Sequence, residues 1–145
     1  MSDVATAAYD PENPFAKILR GELPAHKVFE DERVLVIMDI MPRADGHCLV
    51  LPKAPSRNAL DIDPDDLAAI HQAAQRVGRA AMHAFQADGL TIQQFSEPAG
   101  GQVVFHTHVH VIPRWEDVPL RPHTGEMADG DRLREQAGAI AAALD

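Results

Sequence analysis

The chain holds a single cysteine, Cys48, among its 145 residues. That rules out an internal disulfide and a cysteine-based zinc site, and it fits a reducing compartment. No apolar run is long enough to span a bilayer, and no basic segment leads into an apolar stretch at the start. The expectation is therefore a cytoplasmic protein without a membrane partner. Basic residues are outnumbered, 13 Lys and Arg against 22 Asp and Glu, for a net charge of -9. With no basic stripe to displace counterions, a nucleic-acid backbone is excluded as partner, whereas a small nucleotide held by backbone amides is not. There is no Walker-type glycine loop and no carboxylate cluster for magnesium. No repeat and no linker divides the sequence, which at this length is one domain with room for a core.

What the chain does have is histidine. Three of its eight, His106, His108 and His110, alternate within five residues. Their segment is rich in Val, Ile, Phe and Thr, follows Gly100-Gly101 and ends at Pro113, so it reads as a strand. Alternation then sets the three imidazoles in a row on one face, neighbours about 7 Å apart, with Phe105, Thr107, Val109 and Val111 on the core face. Each ring carries two nitrogens that need partners, so such a row suits chemistry better than a core.

Around it the pattern is α+β. Residues 1–12 are small and polar and read as a flexible N-terminus. Asn13 caps a short helix with Pro14 in its first turn and Gly21 at its end. Residues 27–30, 34–39 and 47–51 read as three strands joined by the turns Asp31-Glu32 and Asp45-Gly46. Asp39 closes the second apolar run, either as a turn former or as an acceptor for a ribose diol. Asp63-Pro64-Asp65-Asp66 starts a long helix with the stripe Leu67, Ile70, Ala74, Val77, Ala81 and Phe85. His71 and His83 on that helix take no role. Residues 90–95 read as a strand, 116–130 as loop, and 131–144 as a weakly amphipathic final helix. Short turns between strands make the sheet mostly antiparallel, with one long helix across it.

An imidazole serves as a nucleophile toward phosphorus, a general acid or base, or a metal ligand. The spacing alone leaves a metal site open, with His47 as a further ligand. The Gly100-Gly101 turn favours phosphate instead, since it offers backbone N–H groups for an anion-binding nest and Gln102 adds an amide donor.

The stretch His106-Thr107-His108-Val109-His110-Val111-Ile112 resembles the signature of the histidine triad (HIT) superfamily of nucleotide hydrolases and transferases. Phe15-Ala16-Lys17-Ile18-Leu19-Arg20-Gly21-Glu22-Leu23-Pro24-Ala25, Asp39-Ile40 and Gly46-His47-Cys48-Leu49-Val50 are similar to its Hint branch. The resemblance covers about residues 13–115, with 116–145 as a C-terminal extension. It implies a HIT-like α+β fold that dimerises into a larger sheet through the long helix and the strand after it.

It also implies roles for residues. His108 attacks the α-phosphorus of a nucleoside monophosphate conjugate, His110 contacts the phosphate, and His106 positions the nucleophile, with a backbone carbonyl fixing the His108 tautomer. Asp39 binds the ribose; Phe15, Ile18, Ile37, Ile40 and Leu49 form the base pocket. Gly101, Gln102 and Val103 form the phosphate turn, with His47 and Ser96 nearby. The implied partner is a purine nucleoside monophosphate or conjugate, and no metal or other cofactor is implied. Two positions depart from the branch: Val103 stands where a Ser or Thr is usual, and Ser96 where an Asn is. Alternative readings are a dinucleoside polyphosphate hydrolase, a nucleotide-binding scaffold with vestigial activity, and a metal-dependent enzyme.

Overall fold

The computed structural model describes residues 8–122 and 126–145. Asn13 caps helix α1 (Pro14–Leu19) by accepting the Ala16 N–H, with Pro14 at the first turn where its missing N–H costs nothing. Three strands follow: β1 (Lys27–Glu30), β2 (Val34–Met38) and β3 (Cys48–Pro52). Then come the long helix α2 (Pro64–Phe85), strand β4 (Gly89–Gln93), strand β5 (Val109–Arg114) and helix α3 (Gly130–Ala143). All strand pairs are antiparallel, and the sheet order is β1-β2-β3-β5-β4, which leaves β1 and β4 at the edges.

Why β2 and β3 are apolar at every position follows from their place inside this sheet, covered on both sides. Val34, Val36, Met38, Cys48 and Val50 face a core built with α2 and α3. Leu35, Ile37, Leu49 and Leu51 face the other way and pack with Phe15 of α1. The histidines lie on this second, thinner side. Helix α2 starts as its sequence demands, with Asp63 accepting the Asp65 N–H at 2.8 Å. It stops at Phe85, the last residue of its stripe, because Gln86 takes the left-handed conformation and bonds back to the last turn. Helix α3 lies in the main core through Leu133, Ala137 and Ile140, so two helices cover that face where the pattern suggested one.

Two expectations are corrected. The histidine strand begins only at Val109, so His106 and His108 precede it and the three rings do not form one strand-face row. The β3–β5 ladder ends at Val50↔Val109. Beyond it Pro52 has no N–H to offer a neighbouring strand, and its carbonyl accepts from the His106 ring instead. The second concerns the N-terminal stretch, which is not loose up to Glu12. Asp10 accepts from both the backbone and the side chain of Asn13, and Tyr9 is half-buried against His106. Residues 1–7 lie outside the described residues.

Gly46 turns the chain into β3 with a φ of +83°, and a Cβ there would come within 2.6 Å of the Phe85 ring. Gly46→Ala is expected to lower stability by about 2–4 kcal/mol, from left-handed strain plus overpacking. Chemical denaturation checks this, and an unfolding midpoint equal to the parent's would contradict it.

Candidate active site

All three triad histidines are buried, and the main chain decides what each ring nitrogen does. His108 Nδ1 lies 2.7 Å from the carbonyl oxygen of His106. A carbonyl only accepts, so Nδ1 carries the proton and Nε2 keeps its lone pair. Burial pushes the His108 pKa down against the pull of that hydrogen bond, which keeps the ring neutral. A neutral imidazole with a free Nε2 is a nucleophile.

His106 is wired the other way. Its Nε2–H donates to Pro52 O at 2.8 Å, and its Nδ1 accepts from the Tyr9 hydroxyl at 2.7 Å. For His110 the sequence runs through His47. The Arg43 backbone N–H donates to His47 Nδ1 at 3.0 Å, so His47 carries its proton on Nε2. That Nε2–H faces His110 Nδ1 at 2.9 Å, which places the His110 proton on Nε2. The rings of His108 and His110 stand 5.0 Å apart.

Phe15 meets His108 edge-on, ring centroids 4.9 Å apart at 82°. Ile37 and Leu49 are buried beside Phe15, and the half-buried Ile18 packs on the same cluster. Ile40 does not join them; it is 44% exposed. Asp39 acts as the turn former, one of the two readings given to it. Its Oδ1 accepts the Met41 N–H as in a turn, and its Oδ2 lies 3.5 Å from His47 Nε2.

The glycine turn differs most from expectation. The backbone N–H groups of Gly100, Gly101 and Gln102 bond to the carbonyls of Glu97 and Pro98, within the turn itself. They do not form an open nest. Gln102 is buried and engaged at both ends: Oε1 accepts from Asn58 and Glu97, and Nε2 donates to the carbonyls of Arg57 and Val104. It staples the turn. Ser96 is likewise turned to the chain, accepting the Ala59 N–H at 3.3 Å. Val103 is 82% exposed.

Several supporting residues escaped the sequence reading. Arg57 grips Glu97 with two hydrogen bonds of 2.7 and 3.0 Å and lies over the Phe105 ring. Ser56 bonds Thr107 by hydroxyl and backbone. Gln136 of α3 accepts the Gly46 N–H, and Arg121 and Arg132 both reach Asp45, so the C-terminal part steadies the loop before His47. Tyr9 stands behind His106. No local motif marks these residues, since each acts through a contact distant in sequence.

Among the described residues one group is close enough to hold a metal ion, namely Asp39, His47 and His110. His47 does not suit that use as it stands. The Arg43 N–H occupies its Nδ1 lone pair, so a cation on Nε2 would have to displace the proton there and break that bond. A hollow of about 470 Å³ lined by Asp88, Arg114, Trp115 and Val118 contains no triad residue. Chemistry rather than size marks the site.

A five-stranded antiparallel sheet, with a neutral imidazole just ahead of an inner strand, defines a class of small α+β proteins built around three histidines. Residues 20–117 match the HIT domain family, and the chain belongs to it. It is 47% identical to a Hit-like protein involved in cell-cycle regulation from Bartonella henselae, solved with an unknown ligand. The two share a TM-score of 0.91, over 94% of this chain and 99% of that one. A zinc-bound histidine triad family protein from Mycobacterium smegmatis is 36% identical, with a TM-score of 0.80 over 92% and 93% of the chains. The adenylylsulfatase HINT3 of Arabidopsis thaliana is 35% identical over 116 residues. That match covers 76% of this chain and 59% of the plant protein, so this chain spans less than two thirds of that relative.

His106 is held neutral far below the ordinary range, at about 4, chiefly by burial. An unfolded histidine near 6.5 takes up a proton first, so stability is lost as pH falls from about 6.5 toward 4. At about 1.4 kcal/mol per unit of pKa, the loss is on the order of 3 kcal/mol. Urea denaturation at about pH 7.5 and about pH 4.5 should show the parent losing roughly 2–3 kcal/mol more than His106→Gln. Equal losses would mean that His106 is not buried neutral.

Proposed function

We propose that this chain is a nucleotide hydrolase or transferase that cleaves the α-phosphate bond of purine nucleoside monophosphate conjugates, phosphoramidates and adenylates among them. The observation that carries this reading is the wiring of His108, whose Nε2 lone pair is fixed by the bond from Nδ1 to the His106 carbonyl. In the first step Nε2 attacks the α-phosphorus, the Nε2–P bond forms, and the bond to the leaving group breaks with its electron pair departing on that group. In the second, water attacks phosphorus, the P–Nε2 bond breaks, and the nucleoside monophosphate leaves. This divides one hard displacement into two easier ones.

His110, with its proton on Nε2, is the donor that would meet the charged phosphoryl oxygens. Asp39 Oδ2 would take the ribose hydroxyls, and Phe15, Ile18, Ile37 and Leu49 would receive the base. The Val103 position brings a backbone N–H but no hydroxyl, so a leaving amine draws its proton from elsewhere. The adenylylsulfatase relative supports an adenylyl group as the transferred unit.

His108→Ala should lose several orders of magnitude in kcat while still binding a nucleoside monophosphate. Mass spectrometry of the parent with an activated adenylate should show an acid-labile nucleotidyl adduct, absent in the variant and insensitive to chelators. Turnover near the parent's in His108→Ala would end the covalent mechanism.

A homodimer belongs to the same reading. Strand β4 stands at the sheet edge with Ile92 47% exposed. Among the described residues, the amide nitrogen of Gln94, just past β4, is the one buried side-chain donor without a partner. A two-fold pairing through α2 and β4 would cover this edge. Sedimentation at micromolar concentration should give twice the 15.8 kDa chain mass, and a monomer alone would refute it.

A further inference from the structure

We propose that Tyr9, from the segment ahead of the matched domain, is a positioning residue for the nucleophile, acting on His108 through His106. The imidazole of His106 is fully buried, with no exposed surface. Its Nε2–H is committed to the Pro52 carbonyl, which leaves a buried lone pair on Nδ1. A lone pair in that position needs a donor or it weakens the site by its full desolvation cost. The Tyr9 hydroxyl is that donor, at 2.7 Å. The ring is thereby pinned at both ends, and the same residue's carbonyl orients His108 at 2.7 Å. A tilt of the His106 peptide would move the His108 lone pair off line, and in-line geometry is what a displacement at phosphorus requires.

Tyr9 is itself held. Its ring stands edge-on to His106 at 5.7 Å and 67°. Burial raises its hydroxyl pKa, so it remains a donor. The next residues fold directly into α1, since Asn13 bonds Asp10 through both its backbone and its side chain before capping the helix. Two residues six apart in sequence thus grip two of the three histidines, Tyr9 behind His106 and Phe15 against His108. Tyr9 lies outside the matched residues 20–117, so the family domain alone does not include it.

The kinetic part of this inference rests on the proposed function; the spectroscopic part does not. Tyr9→Phe keeps the ring and removes only the hydroxyl. In the parent labelled with 15N-histidine, NMR should show His106 as a single Nε2–H tautomer and His108 as a single Nδ1–H tautomer. In Tyr9→Phe the His106 nitrogen signals should shift or divide between tautomers. Single-turnover nucleotidyl transfer should slow by roughly tenfold to a hundredfold, with KM for the nucleotide within about threefold. A merely structural Tyr9 would lower thermal stability and leave tautomers and transfer rate as they were, and that result overturns the proposal. If the parent transfers a nucleotide from no conjugate, the functional reading fails, and the tautomers of His106 still decide for or against Tyr9.

Discussion

A neutral imidazole has one N–H and one lone pair, so in a dry site it needs one acceptor and one donor, each on the correct nitrogen. The contact from His108 Nδ1 to the His106 carbonyl, at 2.7 Å, meets half of that demand and leaves the lone pair on Nε2. The neighbouring arrangements serve to keep it so. Pro52 and Tyr9 hold the ring whose backbone supplies the carbonyl, and Arg43 and His47 set the proton on the neighbouring His110. Of the backbone groups in this circuit, the Arg43 N–H belongs to the loop before β3 and the Pro52 carbonyl to the last residue of β3.

The division of the sheet into two faces makes this possible. The side under α2 and α3 is a conventional apolar core, and it fixes the strands. The side under α1 is thin, with a small apolar group beside the histidines. The rings of His108 and His110 are desolvated there without being sealed in, each keeping 9% of its surface exposed. Rigidity is borrowed from the first side: Gln136 of α3 reaches the Gly46 N–H, so the far core steadies the loop that aims His47.

Much of the fold was legible because its signals are local. The Asp63-Pro64 cap, the five-turn stripe of α2 and the apolar runs of β2 and β3 each report on neighbours a few residues away. The family and the set of three histidines were legible for the same reason. The start of β5 was not. Alternation reads the same whether a segment pairs with a strand or with side chains, and here the partner of residue 107 is Ser56. Gln102 was misjudged on similar grounds, because a glycine-rich turn looks like an anion nest until its N–H groups are counted against its own carbonyls. Tyr9 and Arg57 could not be found in advance, since their partners lie 97 and 40 residues away.

Phe15 belongs to two systems at once. It is part of the apolar cluster on the thin side of the sheet, and its ring stands edge-on to that of His108. In the proposed function, a base settling against that cluster would also press, through one aromatic side chain, on the nucleophile. On that reading recognition of the base and alignment of the nucleophile would share a lever, and a substrate stripped of its base would react with a less firmly seated histidine. Part of the binding energy of the distant end would appear as rate at the phosphorus rather than as affinity.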